Sequence, residues 1–372
     1  MSQELFPLHS SLHGIAPPLA ADPFVSVILA IRNEASFIER TLTAILEQDF
    51  PHERMEVLIA DGQSTDATRA VIQGIAGRCA TPAVTILDNP GRFVSPGLNA
   101  ALRAARGDII VRIDGHTIIE RDYVRSCVEA LRRTGADNVG GRMDPVAQNP
   151  FGIAVALATS SPFGVGGARF HYSQQEEWVD TVYLGAWPRA VFDRLGGFDE
   201  EQIRNQDDEF NYRLREHGGK VLLTPRIRSQ YFNRGTVASL WKQYYQYGFW
   251  KVRVMQKHPK QMQARQFVPA LFVSGWAALA MASIFVAPAR YLLAGAAIVY
   301  VSANAMAAVS VARKKAPELT PLVMLSFGVL HFAYGAGFLA GLMRIGGRGK
   351  KRGPGAQSIA AYPSGTSTNA PN

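Results

Sequence analysis

The stretch that decides the fold is Ile109-Ile110-Val111-Arg112-Ile113-Asp114-Gly115-His116. Its β-branched run reads as a strand, followed by Gly115 and His116. A carboxylate and an imidazole are thus delivered to the C-terminal edge of a sheet. Asp114 and His116 stand two apart, so in extended chain their side chains share a face and can approach one cation. Upstream, strand-like and helix-like segments alternate. Residues 25–30 are apolar and β-branched, and residues 36–47 carry helical spacing at Phe37, Ile38, Leu42, Ile45 and Leu46. Residues 57–60 form a second short strand, followed by a helix over 65–75 that starts from a Ser64 or Thr65 cap. A strand over 84–87, a helix over 96–105, the strand 109–113 and a helix over 122–133 complete the series. The βαβα order predicts an α/β fold with a mostly parallel, open sheet and helices on both faces. Ligands of such sheets bind beyond the carboxyl ends of the strands. Asn33-Glu34, Asp61 and Asp114 follow strands one, two and four, which points to a single site.

Two further acidic clusters accompany Asp114. Asp61-Gly62-Gln63-Ser64-Thr65-Asp66 closes the second strand. A carboxylate at Asp61 can accept from a base N–H or a ribose hydroxyl, while Ser64 and Asp66 also suit helix capping. Asp207-Asp208-Glu209 precedes an apolar and basic run and reads as a first helical turn, where acids complement the dipole. That role accounts for one or two of the three; Asp207 is the candidate general base. No Gly-x-Gly-x-x-Gly occurs in the first half, which disfavours a dehydrogenase.

The chain has 372 residues, a net charge of +9 and 47% hydrophobic residues, distributed unevenly. Residues 267–287, 291–312 and 322–343 are apolar runs of about 20 residues each, enough to cross a bilayer as helix. None has amphipathic periodicity, so buried helices of a soluble core are the weaker reading. The excess positive charge flanks these runs, at 251–265, 313–315 and 344–352, which suits anionic lipid rather than nucleic acid. The aromatic segment 240–250 suits a membrane interface. The first 22 residues lack a basic start and a continuous apolar core, so they do not read as a signal peptide, and the globular part is expected in the cytoplasm. Cys79 and Cys127 give no disulfide framework. The expected organisation is a flexible N-terminus (1–22), a catalytic α/β domain (23–235), an interfacial segment (236–266), a membrane region (267–343) and a basic, then disordered tail (344–372). Within the α/β domain, Gly140-Gly141, Gly164 and Gly166-Gly167 are expected to mark turns and a mobile loop. Three spans place the basic run 344–352 opposite a cytoplasmic domain, against the positive-inside rule; one run lying in the interface would resolve this.

Together these motifs make the chain resemble inverting family 2 glycosyltransferases with the GT-A fold, most similar to bacterial exopolysaccharide glucosyltransferases of the succinoglycan type. The resemblance covers about residues 24–255. It rests on Ala30-Ile31-Arg32-Asn33-Glu34, residues 60–66, Ala105-Arg106-Gly107-Asp108, Asp114-Gly115-His116, residues 180–186, Gly196-Gly197-Phe198-Asp199 and residues 207–213. It implies that Ala30, Arg32, Glu34 and Asp61 lie along a UDP-sugar, with the uridine on Glu34 and Asp61. Asp114 would begin the DXD-like metal motif, with His116 in place of the usual second acid, and the metal would be Mn2+ or Mg2+. Asp207 would be the base, preceded by Gln206 rather than the usual Glu. Gly185 and Ala186 would line the acceptor and sugar pocket. Processive relatives carry Gln-x-x-Arg-Trp before their membrane helices; here the place reads Gln243-Tyr244-Tyr245-Gln246-Tyr247, which favours addition of one sugar. The implied partners are a UDP-sugar (glucose by resemblance), a lipid-linked saccharide acceptor, membrane lipid and other polysaccharide-assembly enzymes, at a bacterial-type inner membrane. The rival readings are a polyprenyl-phosphate sugar transferase of the same fold and a membrane scaffold with a decayed transferase domain.

Overall fold

The structure is a computed structural model that describes residues 14–147 and 149–345. Its first half alternates as expected: β1 (Val25–Ile31), α1 (Ile38–Leu46), β2 (Met55–Asp61), α2 (Thr68–Ala76), β3 (Ala83–Asp88), α3 (Val94–Ala104), β4 (Ile109–Arg112), β5 (Thr117–Ile119) and α4 (Tyr123–Thr134). β1 and β2 are buried on both faces, which is why they read as continuous apolar runs. α1 buries Ile38, Leu42 and Ile45 at helical spacing. α4 buries Val124, Cys127, Val128 and Leu131 and stops at Gly135, whose φ of 63° suits a glycine cap. The helix after β2 begins at Thr68, later than expected, because Ser64 and Thr65 bond the loop after β1 and Asp66 accepts from the Thr68 amide.

The middle of the chain is more regular than its sequence suggests. It contains β6 (Asn138–Val146), α5 (Pro150–Thr159), α6 (Pro162–Val165), β7 (Glu177–Trp178), β8 (Tyr183–Pro188), α7 (Arg189–Leu195), α8 (Gln206–Glu216) and β9 (Val221–Phe232). The sheet runs β3-β2-β1-β4-β8-β6-β9-β5, with β7 on β9. β3, β2, β1 and β4 are parallel; β8 is antiparallel to both neighbours, and β6 pairs β9 in parallel. Gly140-Gly141 is not a turn, as its sequence suggested, but lies inside β6. There the register shifts against both β8 and β9, and a Cβ at Gly141 would overlap the Ile227 backbone. The glycines permit close approach at a bulge. Gly164 sits in the short helix α6, which ends at Gly166 with φ 58°.

Apolar cores lie on both sheet faces. One joins α1 and α4 to the sheet; the other gathers Leu98 and Ala101 of α3, Trp187, Phe192, Phe198, and Phe210 and Leu214 of α8. Part of the N-terminal segment expected to be flexible is tied down. The Gly14 amide bonds Gly135 O, the Ala16 amide bonds Asp137, and Arg132 reaches the Ala20 and Ala21 carbonyls. Residues 1–13 and 346–372, with the expected basic and disordered tail, lie outside the described residues.

The last part is helical: α9 (Val237–Lys257), α10 (Val268–Phe285), α11 (Ala287–Ala312) and α12 (Thr320–Ile345). Three of these are long and apolar enough to cross a membrane. α10 and α11 expose most of their apolar surface, whereas half of the apolar window in α12 is buried. α12 packs on α9 and also meets α5, α10 and α11. The aromatic segment expected to lie on a membrane surface is therefore covered on one side by a helix. Gly248 of α9 and Gly337 and Gly341 of α12 stand where a Cβ would meet the backbone carbonyls of Tyr334, Tyr245 and Phe249. Small residues let the two backbones approach closely.

Candidate active site

The carboxyl ends of the central strands form the candidate site. In register, Ile31 of β1 pairs Asp61, and Asp61 pairs Asp88. Asp61 is buried; its Oδ1 accepts from the Ser64 amide and hydroxyl at 3.1 and 2.6 Å. Arg69 stands between Asp61 (3.4 Å) and Asp88 (2.9 Å). Asn33, Gln63 and Arg92 all have φ near 60°, a conformation that non-glycine residues hold only when their surroundings enforce it. Bonds from the Asn33 amide to Ser64 and from Arg92 to Gln63 supply that enforcement. The sequence-expected nucleotide residues differ in placement: Arg32 is exposed, Ala30 is partly buried against Gly97, and Asp61 lines the loop floor.

Glu34 is engaged differently from its expected place on a base. Its Oε1 lies 3.1 Å from His116 Nδ1, and its side chain runs over Gly115, where a Cβ would crowd it. Burial alone would lower the His116 pKa; the Glu34 hydrogen bond and charge, with the Asp114 charge, raise it above its ordinary value. With Nδ1 on a carboxylate, Nε2 is left as the free ring nitrogen, the arrangement usual for a metal-bound histidine.

Arg112 lies beneath Asp114. It is buried and donates through Nε (3.1 Å) and Nη2 (2.9 Å) to the same oxygen, Oδ1 of Asp114. Oδ2 of Asp114 accepts no hydrogen bond among the described residues. Burial would strip charge from Arg112, but Asp114 and Asp207 keep its pKa raised, so it stays cationic. Nothing in the sequence singles out this arginine within a strand; only its burial beside two acids does. No group of three or more His, Cys, Asp and Glu side chains placed to hold a metal ion occurs among the described residues. Asp114 Oδ2 and His116 Nε2 are two donors of the kind that would suit a divalent ion, with its remaining ligands to come from a diphosphate and water.

α8 brings Asp207 to the same place. Asn205, with φ 60°, precedes the helix, and a buried bridge from Asn138 to Asn211 to Thr181 (2.7 and 3.0 Å) fixes α8 against β6. The three acids of its first turn have different fates. Glu209 pairs Arg213 and His258, and Asp208 pairs Lys251, whereas Asp207 forms no ion pair among the described residues. Burial pushes the Asp207 carboxyl up to about 6; Arg112 opposes this, while Asp208 and Asp114 add to it. That value suits a proton acceptor working near neutrality. Tyr183, Tyr231 and Tyr247 add an aromatic wall. The Tyr183 hydroxyl bonds Thr117 at 2.7 Å, Tyr231 packs edge-on against His116 and Tyr183, and Gln243 donates to the hydroxyls of Tyr231 and Tyr247. The structure brings Glu34, Asp114, His116 and Asp207 together with these residues. It does not bring the Ala186 side chain to them: the methyl is fully buried in the sheet core, where Ala186 pairs Val111 and Val139. Gly185, with φ 123°, packs on the Trp187 ring, where a Cβ would collide.

The fold and site define an α/β protein with acids beyond the carboxyl ends of its parallel strands and three helices apolar enough to cross a membrane. Residues 26–195 match Glycosyl transferase family 2. The succinoglycan biosynthesis protein ExoA of Rhizobium meliloti is 32% identical over 84% of this chain and 93% of its own. A dolichyl N-acetyl-alpha-D-glucosaminyl phosphate 3-beta-D-2,3-diacetamido-2,3-dideoxy-beta-D-glucuronosyltransferase of Methanococcus voltae is 29% identical over 63% of this chain and 74% of its own. Among solved structures, the mannosyltransferase PcManGT of Pyrobaculum calidifontis, in complex with GDP-Man and Mn2+, superposes with a TM-score of 0.60 at 23% identity, covering 88% of this chain and 89% of that one. The chain belongs to glycosyl transferase family 2, and its fold is that of the GT-A enzymes.

Proposed function

We propose that the protein transfers one hexose, glucose by its likeness to ExoA, from a UDP-sugar to a lipid-linked saccharide in exopolysaccharide assembly, with inversion at the anomeric carbon. The observation that carries this reading is Asp207, half-buried beside Arg112 and Asp114, without an ion pair among the described residues and with its carboxyl pushed up to about 6 by burial. Asp207 takes the acceptor hydroxyl proton as the oxygen attacks the anomeric carbon, and the bond to the nucleoside diphosphate breaks on the opposite side. Asp114 Oδ2 and His116 Nε2 would hold Mn2+ or Mg2+. When bound, the ion supplies charge neutralisation for the departing diphosphate. Arg112 fixes the rotamer of Asp114, and Glu34 fixes the tautomer of His116. Asp61, Ala30 and Arg32 line the nucleotide end, and Gly185 contributes backbone to the sugar pocket. The three apolar helices favour an acceptor held at the membrane, with the catalytic domain on the cytoplasmic side of an inner membrane. The ion-paired, aromatic-walled acid cluster favours an active enzyme over a decayed scaffold. A screen of UDP- and GDP-sugars against membranes containing the protein, read as nucleotide release with and without chelator, tests the reading. Release from UDP-glucose that stops with chelator is expected; release from no nucleotide sugar, or release indifferent to Asp207→Asn, overturns it.

A further inference from the structure

The acid beside the base has a partner on a different kind of element. Asp208 Oδ2 receives Lys251 Nζ at 2.9 Å, and the same ammonium lies 3.2 Å from the Tyr212 hydroxyl and 4.8 Å from its ring centroid. Lys251 is almost fully buried. A buried ammonium is costly unless paired, so this pairing is a specific arrangement and not surface decoration. Lys251 belongs to α9, which also holds the loop leading into α8. Asn205 donates to Tyr247 O at 2.9 Å and Gln202 to Trp250 O at 3.2 Å. The other face of α9 meets α12 backbone to backbone at Gly248, Gly337 and Gly341. One chain of contacts therefore runs from an apolar, membrane-type helix through α9 and Lys251 to the turn that carries Asp207.

We propose that Lys251 is a positioning residue for sugar transfer: it neutralises Asp208 and locks the first turn of α8 to the α9–α12 pair, so that the membrane helices set the place and charge of Asp207. The proposal rests on the reading of Asp207 as the base. Asp207 is faced by Arg112 and Asp114 from the end of β4, by Asp208 on its own helix and by Tyr247 on α9. Of these, only the Asp208 charge depends on a cation outside the sheet. Without Lys251 an uncompensated carboxylate stands next to Asp207, and the start of α8 is tied to α9 only through the Asn205 and Gln202 bonds. α12 would then be part of the catalytic scaffold and not simply an anchor.

The test uses the full chain in nanodiscs with four variants: Lys251→Met, Asp208→Asn, the double variant and Asp207→Asn. Three quantities are read: the affinity for UDP with Mn2+, turnover of the nucleotide sugar that the wild type uses best in a panel, and amide exchange over residues 205–212. Lys251→Met should lower kcat about tenfold or more and speed exchange at the start of α8, with UDP affinity unchanged, the size of loss expected when one coupled ion pair is broken. Adding Asp208→Asn should restore most of kcat, because no uncompensated carboxylate is then left beside Asp207. Unchanged kcat and exchange in Lys251→Met overturns the proposal. So does a folded double variant with no recovery, which would make Lys251 a packing residue only. A parallel loss of UDP affinity would also overturn it. Full turnover in Asp207→Asn would remove the base reading by itself, and the exchange data would still judge whether Lys251 locks α8.

Discussion

Asp207 and Arg112 form the pair on which the chemistry turns at the scale of single residues. An aspartate in water titrates near 3.8, and burial moves Asp207 up to about 6. A base must be ionised to accept a proton, so kcat should fall as pH drops through about 6, well above where a solvated aspartate would protonate. A pH series of kcat at saturating donor checks this; a flat profile from pH 5 to 8 would refute it. Asp207→Asn should cost a hundredfold or more in kcat, the usual scale for losing a general base, with UDP affinity intact. Arg112→Met removes the positive charge of Arg112, which opposes the upward shift, so the acid limb should move to higher pH. It should also weaken Mn2+ binding, because Asp114 loses the donor that orients it; calorimetry with Mn2+ and UDP separates that effect from turnover.

The decisive element is the helix pair α9–α12. Their contact depends on glycines whose missing side chains leave room for carbonyl oxygens. Gly337→Leu would drive a branched side chain into the Tyr245 carbonyl, which must either part the helices or unwind one of them. Overpacking of this kind costs about 1–3 kcal/mol or more. The expected result is a lower thermal midpoint in detergent, together with reduced turnover, because α9 is what holds residues 202–208. Gly295→Leu on α11, where a Cβ would meet nothing within 4 Å, serves as the control and should be neutral. If Gly337→Leu behaves like the control, the close packing is not a working contact.

For the molecule as a whole, two bodies of apolar surface need cover. The sheet is covered by its own helices, but α10 and α11 leave Leu271, Phe285, Tyr291, Ile298 and Val299 largely bare. Lipid is the solvent that suits such surface, so the protein should stay in the pellet after carbonate and high-salt washes and move only with detergent. Recovery in the soluble fraction without detergent would end the membrane reading. A fragment ending at Lys260 should keep UDP binding in detergent, because Asp61, Ala30 and Arg32, proposed for the nucleotide end, precede β4. It should lose transfer, because removal of α12 uncovers α9 and the buried Lys251. Full turnover by that fragment would show that the membrane helices only anchor.

Local pattern carried much of this protein into view. The β-branched runs, helical spacing and acids after strands one, two and four are local signals, so the parallel half of the sheet and the placing of those acids at its carboxyl edge were legible from residues alone. The first-turn acids of α8 were legible too, as was the surplus of acids there for capping. The three long apolar helices follow from composition. What only the tertiary structure decided depends on residues far apart in the chain. Gly140-Gly141 looks like a turn until β9 is seen crossing it, because a close approach and a bend ask for the same residue. Glu34 is expected on the uridine until its carboxylate is found against His116, and Ala186 reads as a pocket residue until its methyl is found in the core. Arg112 looks like a stray charge in a strand, and Lys251 like one of several basic residues near the membrane. Both are buried against acids, 2 and 43 positions away in sequence. The Arg112 pair is close in sequence, but its importance lies in Asp207, which only the fold brings near. Electrostatics between buried groups acts through space, so no reading of spacing along the chain can recover it.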